Sequence, residues 1–84
     1  MRPSEIKVGK TYRNRGAGRT SRFVVEIVPY IELAHRGFCI PWYSDESTRP
    51  DEPIVAFRQA ERVGIQFLYI SSFAAWAGSE VSDA

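Results

Sequence analysis

Arg22-Phe23-Val24-Val25-Glu26-Ile27-Val28-Pro29-Tyr30-Ile31-Glu32-Leu33 is the stretch whose periodicity sets the fold class of this 84-residue chain. Phe23, Val25, Ile27, Pro29, Ile31 and Leu33 occupy the odd positions, while Glu26 and Glu32 fall on even ones. A repeat of two is that of a strand with one buried face, so the odd-numbered side chains are expected inward. Pro29 has no N–H to give to a ladder, which predicts a break, a bulge or an edge there and hence two strand segments in succession.

Downstream, His35-Arg36-Gly37 reads as a turn, and Phe38, Ile40 and Trp42 resume the alternation. The stretch from Ser44 to Pro53 has no apolar residue and two prolines, which predicts a mobile acidic loop. Ile54 to Ala60 is rich in β-formers and reads as a strand, Glu61-Arg62-Val63-Gly64 as a turn, and Ile65 to Ile70 as the hairpin partner. Ser72 stands where a helix N-cap belongs, Phe73 and Trp76 share one helical face, and Gly78 fits the terminating position. Residues 79–84 read as a flexible tail.

Upstream, Lys10 to Asn14 reads as a first strand with Tyr12 inward, followed by a loop at Gly16-Ala17-Gly18. Five or six short strands and no long amphipathic helix define an all-β sandwich or small barrel. One domain over residues 1–78 is expected, with a core of Tyr12, Phe23, Val25, Ile27, Val55, Phe57, Phe67, Tyr69, Phe73 and Trp76. A chain of this length has room for a single core.

Composition excludes several classes. Hydrophobic residues make up 44% of the chain, enough for a packed interior. The longest apolar run, Ile65 to Ala77, is interrupted by Gln66, Ser71 and Ser72 and falls short of the roughly 20 residues a membrane helix needs. The first residues lack the apolar stretch of a secretory signal, and the lone Cys39 has no internal disulfide partner, so a reducing, cytoplasmic setting is expected.

Charge is unevenly distributed. Residues 1–22 carry seven basic residues against Glu5 alone, a balance of +6, and the remainder carries four against nine, a balance of −5. Such asymmetry marks either a nucleic-acid contact or two surfaces that neutralise each other.

The order Val8-Gly9-Lys10-Thr11-Tyr12-Arg13-Asn14-Arg15, then Ile54-Val55-Ala56-Phe57-Arg58, then Leu68-Tyr69-Ile70-Ser71-Ser72-Phe73-Ala74-Ala75-Trp76 resembles small phage and prophage proteins. It also resembles bacterial domains with SH3-like barrels. That resemblance implies a small SH3-like barrel of five or six strands, closed by a short helical turn, with no active site to carry over. The segment from Pro29 to Pro53 is longer than a compact barrel of this kind requires.

Simpler explanations account for the individual motifs. Gly9-Lys10-Thr11 ends like a phosphate-binding loop, but Ser4 stands where its first glycine belongs. Gly16-Ala17-Gly18 begins like a dinucleotide fingerprint, but Ser21 replaces the third glycine and no βαβ unit surrounds it. His35 and Cys39 supply two of the four ligands a structural zinc needs. As a nucleophilic pair they lack a defined geometry, and Cys39 lies in an apolar alternation where an inert thiol is usual.

No enzyme, metal or cofactor is therefore expected, a small enzyme using His35 and Cys39 being the remotest alternative. The expected function is contact: a protein partner first, through an apolar cluster that includes Trp42 and Tyr43, and nucleic acid as the alternative. For the latter, Arg13, Arg15, Arg19 and Arg22 would hold phosphates while Tyr12 stacks on a base. The nucleic-acid reading strengthens if the arginines form one unpaired face, and weakens if they pair with Glu26, Glu32 and Glu61.

Overall fold

In the computed structural model, which describes residues 1–16, 20–38, 40 and 51–81, the backbone is built around five antiparallel strands in one open sheet. These are β1 (Thr11–Asn14), β2 (Ser21–Val28), β3 (Ile54–Gln59), β4 (Gln66–Tyr69) and β5 (Ala77–Glu80), in the spatial order β4-β3-β2-β1-β5. Two short helices, α1 (Tyr30–His35) and α2 (Ile70–Trp76), and a single 3₁₀ turn at Pro3–Glu5 complete the described structure. No helix among the described residues is long and apolar enough to cross a membrane.

Each face of the sheet has its own core, because directly opposed residues in an antiparallel ladder share a face. On the inner face the ladder sets Val24 opposite Phe57, and Val55 opposite both Ile27 and Leu68. These pack with Ile6, Tyr12, Phe73, Ala74 and Ala77, the last three supplied by α2 and the start of β5. The ring of Phe73 meets Tyr12 edge-on at 5.8 Å and Phe57 at 5.3 Å, within the range where aromatic pairs attract.

On the outer face Ile54 lies opposite Val28 and Tyr69, and Ala56 opposite Phe67. Leu33 of α1 and Ile40 close over this half. Ile54, Val55, Ala56 and Phe57 are consequently buried at four successive positions, as in a strand covered on both sides.

The inward parity expected for β2 is reversed in its first half. A bulge between Val24 and Glu26 leaves Val25 without a partner of its own, so Arg22 and Val24 face inward before it and Ile27 after it. One extra residue exchanges the two faces, which turns Phe23 outward, where it is 43% exposed.

The second expected strand segment, from Pro29 to Leu33, is instead helical. Pro29 ends the ladder and occupies the N-cap position of α1 with extended backbone. Tyr30 and Leu33, three residues apart, then point at the outer core. Gly37, at a φ of +85°, terminates the helix: its N–H donates to the Ala34 carbonyl at 3.0 Å and that of Phe38 to Leu33 at 3.0 Å. The resumed alternation at Phe38 and Ile40 forms no strand, although Ile40 is buried; Trp42 lies outside the described residues.

At the other end of the chain three expectations are revised. Helix α2 starts two residues before Ser72, and its first turn is satisfied from a distance: Ile70 N–H donates to the Pro53 carbonyl at 3.0 Å and Ser71 N–H to Glu52 Oε1 at 3.2 Å. Gly78 does not terminate a helix but sits in β5, opposite no residue of its own. A Cβ there would lie 3.0 Å from Arg15 Cα, so glycine answers a close approach. Ser79 and Glu80, expected in a flexible tail, pair with Arg13 and Tyr12. The expected strand β1 and the β3–β4 hairpin are present as read. The expected loop at 44–53 lies outside the described residues up to Pro50.

Phe73→Ala is expected to lose about 3–5 kcal/mol, the range for emptying a buried aromatic position. Phe23→Ala, on an exposed ring, should lose less than about 1 kcal/mol. Urea unfolding of both variants checks the assignment of faces, and equal losses would contradict it.

Candidate binding surface

The basic amino-terminal third does not form one face. Tyr12 is fully buried, with its hydroxyl donating to the Glu5 carbonyl at 3.0 Å and accepting from Lys7 N–H at 2.7 Å. Its ring is core, which corrects the expectation that it stacks on a base. Burial raises the phenol above its ordinary range, against the opposing effect of the Lys7 hydrogen bond, and the carboxylates of Glu80 and Glu5 push in the same direction as burial.

Arg22 is also turned inward, since its register partners Tyr12 and Gln59 lie on the core side. Its guanidinium stands 4.1 Å from the centroid of the Trp76 ring and 4.7 Å from that of Phe57, and its Nε–H donates to Gln59 Oε1 at 3.1 Å. Stacking on two rings offsets part of the cost of removing the charge from water. Even so, burial and then the nearby charge of Arg62 lower its pKa.

Arg13 and Arg15 are exposed. Arg13 lies opposite Ser21 on the outer face, and the Arg15 N–H donates to the Trp76 carbonyl at 3.1 Å. Arg19, Cys39, Trp42 and Tyr43 lie outside the described residues, and His35 ends α1 in an exposed position.

The outer face nevertheless gathers a group that the alternation hid. Phe23 is opposed by Arg58 on β3 and by Thr11 on β1, and Arg13 sits one inward-facing pair further along β1. This is the half of the face that Leu33 and Ile40 do not cover. Arg58 was not a candidate in the sequence, because only the bulge brings its partner Phe23 to the surface.

Of the three acids expected to neutralise these arginines, Glu26 and Glu32 are engaged elsewhere, and Glu61 forms no ion pair with a described residue. Arg36 holds Glu26 at 2.6 Å and Glu32 at 2.9 Å. Hydrogen bonding to Glu26, more than any other cause, raises the Arg36 pKa. Among the described residues no carboxylate lies within ion-pair distance of Arg13, Arg15, Arg58 or Arg62.

At the loop end of the sheet, a hollow of about 160 Å³ is lined by Thr20, Gln59, Ala60 and Glu61. Glu61 adopts a φ of +78°, the left-handed region that a β-carbon disfavours, in the turn between β3 and β4. Comparison with protein families, with curated proteins and with solved structures gives no match for this chain.

The state of Tyr12 makes stability depend on pH at the alkaline end. Its folded-state pKa lies above the unfolded value of about 10, so the stabilisation is fully present below that value and is lost as pH rises through the folded pKa. Tyr12→Phe should cost about 1–3 kcal/mol at neutral pH, through the lost partners of Glu5 and Lys7, and flatten the alkaline fall in urea midpoint. A variant with the parent's alkaline profile would show that another group controls it.

Proposed function

We propose that this chain is a small non-enzymatic binding module, built as an SH3-like barrel that is open between β4 and β5, and that it works by contact through the uncovered outer face. The strand order, with a helical turn between β4 and β5, supports the barrel reading. A cytoplasmic accessory role of the phage type fits the resemblance in sequence and the single cysteine.

The observation that carries the proposal is the exposed ring of Phe23 opposite Arg58, with Arg13 two residues along β1 from its other neighbour Thr11, and with Glu26 and Glu32 already held by Arg36. A flat ring offers a stacking surface to any base, and unpaired guanidinium forks match phosphate oxygens. Single-stranded nucleic acid is the partner this chemistry suits best. A protein partner with acidic side chains is the second reading, favoured by the exposed Phe38 and Ile31, since aromatic and arginine side chains also dominate protein contacts.

Fluorescence anisotropy with a labelled single-stranded oligonucleotide tests this. Binding is expected at about 50 mM salt, with log affinity falling linearly in log salt by about 0.7 per phosphate contact. Arg13→Ala and Arg58→Ala should each flatten that slope by one contact. Phe23→Ala should weaken binding by about 1–3 kcal/mol while leaving the slope unchanged. Absence of binding, or an equal loss from the control Arg2→Ala, would overturn the nucleic-acid reading and leave the acidic protein partner.

A further inference from the structure

We propose that Arg22 and Arg62 form a phosphate-binding subsite at the loop end of the sheet, on the opposite face from Phe23 and independent of the surface proposed above. Both residues converge on Gln59. Arg22 reaches its side-chain carbonyl through Nε–H, and the backbone N–H of Arg62 donates to its main-chain carbonyl at 3.1 Å.

Three features make Arg22 more than a surface cation. The rings of Trp76 and Phe57 fix the plane of the guanidinium, and Gln59 fixes its rotation about that plane. With Nε engaged, the two Nη groups donate to no acceptor among the described residues, and they are not sealed from solvent. A fork held in place with its outer donors free loses little entropy on binding and presents two parallel N–H bonds to an oxyanion.

Arg62 supplies the second charge from an exposed turn. Burial first, and the charge of Arg62 second, lower the pKa of Arg22, a cost of keeping that cation half-buried that a bound anion would relieve. Gln59, the hydrogen-bond partner of Arg22, also lines the hollow, where Thr20 supplies a hydroxyl donor. Glu61 also lines the hollow, and its carboxylate disfavours an anion on its own side. Arg15, bonded through its backbone to Trp76, adds a further exposed cation at the same pole.

The shared chemistry is a phosphate group, whether of a monoester or of a nucleic-acid diester, and two probes separate the sources. Inorganic phosphate and dimethyl phosphate are titrated into the intact protein at constant ionic strength, with chloride as the reference, while the Nε–H signal of Arg22 and the indole N–H of Trp76 are followed by NMR. Saturable shifts are expected in the millimolar range. Arg62→Ala should weaken phosphate about tenfold, Arg22→Lys should weaken it comparably by removing the fork, and Glu61→Gln should tighten it several-fold. Phe23→Ala should leave these shifts unchanged, which separates this site from the outer face. Response to both probes supports a diester as well as a monoester source, and response to phosphate alone supports the monoester. Shifts that never saturate, or parent-like binding in both Arg62→Ala and Arg22→Lys, would overturn the subsite.

Discussion

The extra residue in β2, between Val24 and Glu26, governs which chemistry each face of the sheet presents. Before it, Arg22 and Val24 point toward α2 and Phe23 points to solvent; after it, Ile27 enters the same core as Val24. Without the bulge, the register of Glu26 with Ala56 would continue to Phe23 opposite Gln59, turning Phe23 inward and Arg22 outward. The division of the basic segment into a stacked, half-buried arginine on one side and exposed ones on the other follows from that single irregularity.

Packing then makes β3 the strand on which both cores rest. Its inner residues Val55 and Phe57 share a core with α2, and its outer residue Ile54 shares one with Leu33 of α1 and Ile40. The long connection between β2 and β3 therefore has a structural reason: part of it covers a sheet face that would otherwise be exposed. The cover stops short of Phe23, and that limit defines the candidate contact surface.

Electrostatics divides the arginines by partner. Arg36 gathers Glu26 and Glu32 at the end of α1, and the exposed arginines of β1 and β3 are left without a carboxylate among the described residues. Arg22 instead exchanges hydration for two aromatic faces and one amide carbonyl, and it retains free donors. A charge held so rigidly and paired with no carboxylate is suited to an external anion.

Alternation and turn chemistry in the sequence were sufficient to read the all-β class, the β3–β4 hairpin with its turn at Glu61 to Gly64, the strand carrying Tyr12 inward, and a helical turn carrying Phe73. These are local signals, written in period two and in residues that tolerate particular backbone angles. The inward and outward sides of β2 were decided by the tertiary structure, because a bulge is a relation between two strands and leaves no mark in either alone. The same holds for β5, whose Ala77-Gly78-Ser79-Glu80 has little strand propensity and is ordered by pairing with β1. It holds also for the start of α2, which takes its satisfaction from Glu52 and Pro53 and not from Ser72. The candidate site was legible only as a basic segment, since Arg58 and Phe23 are 35 positions apart and meet through a ladder register that no local pattern encodes.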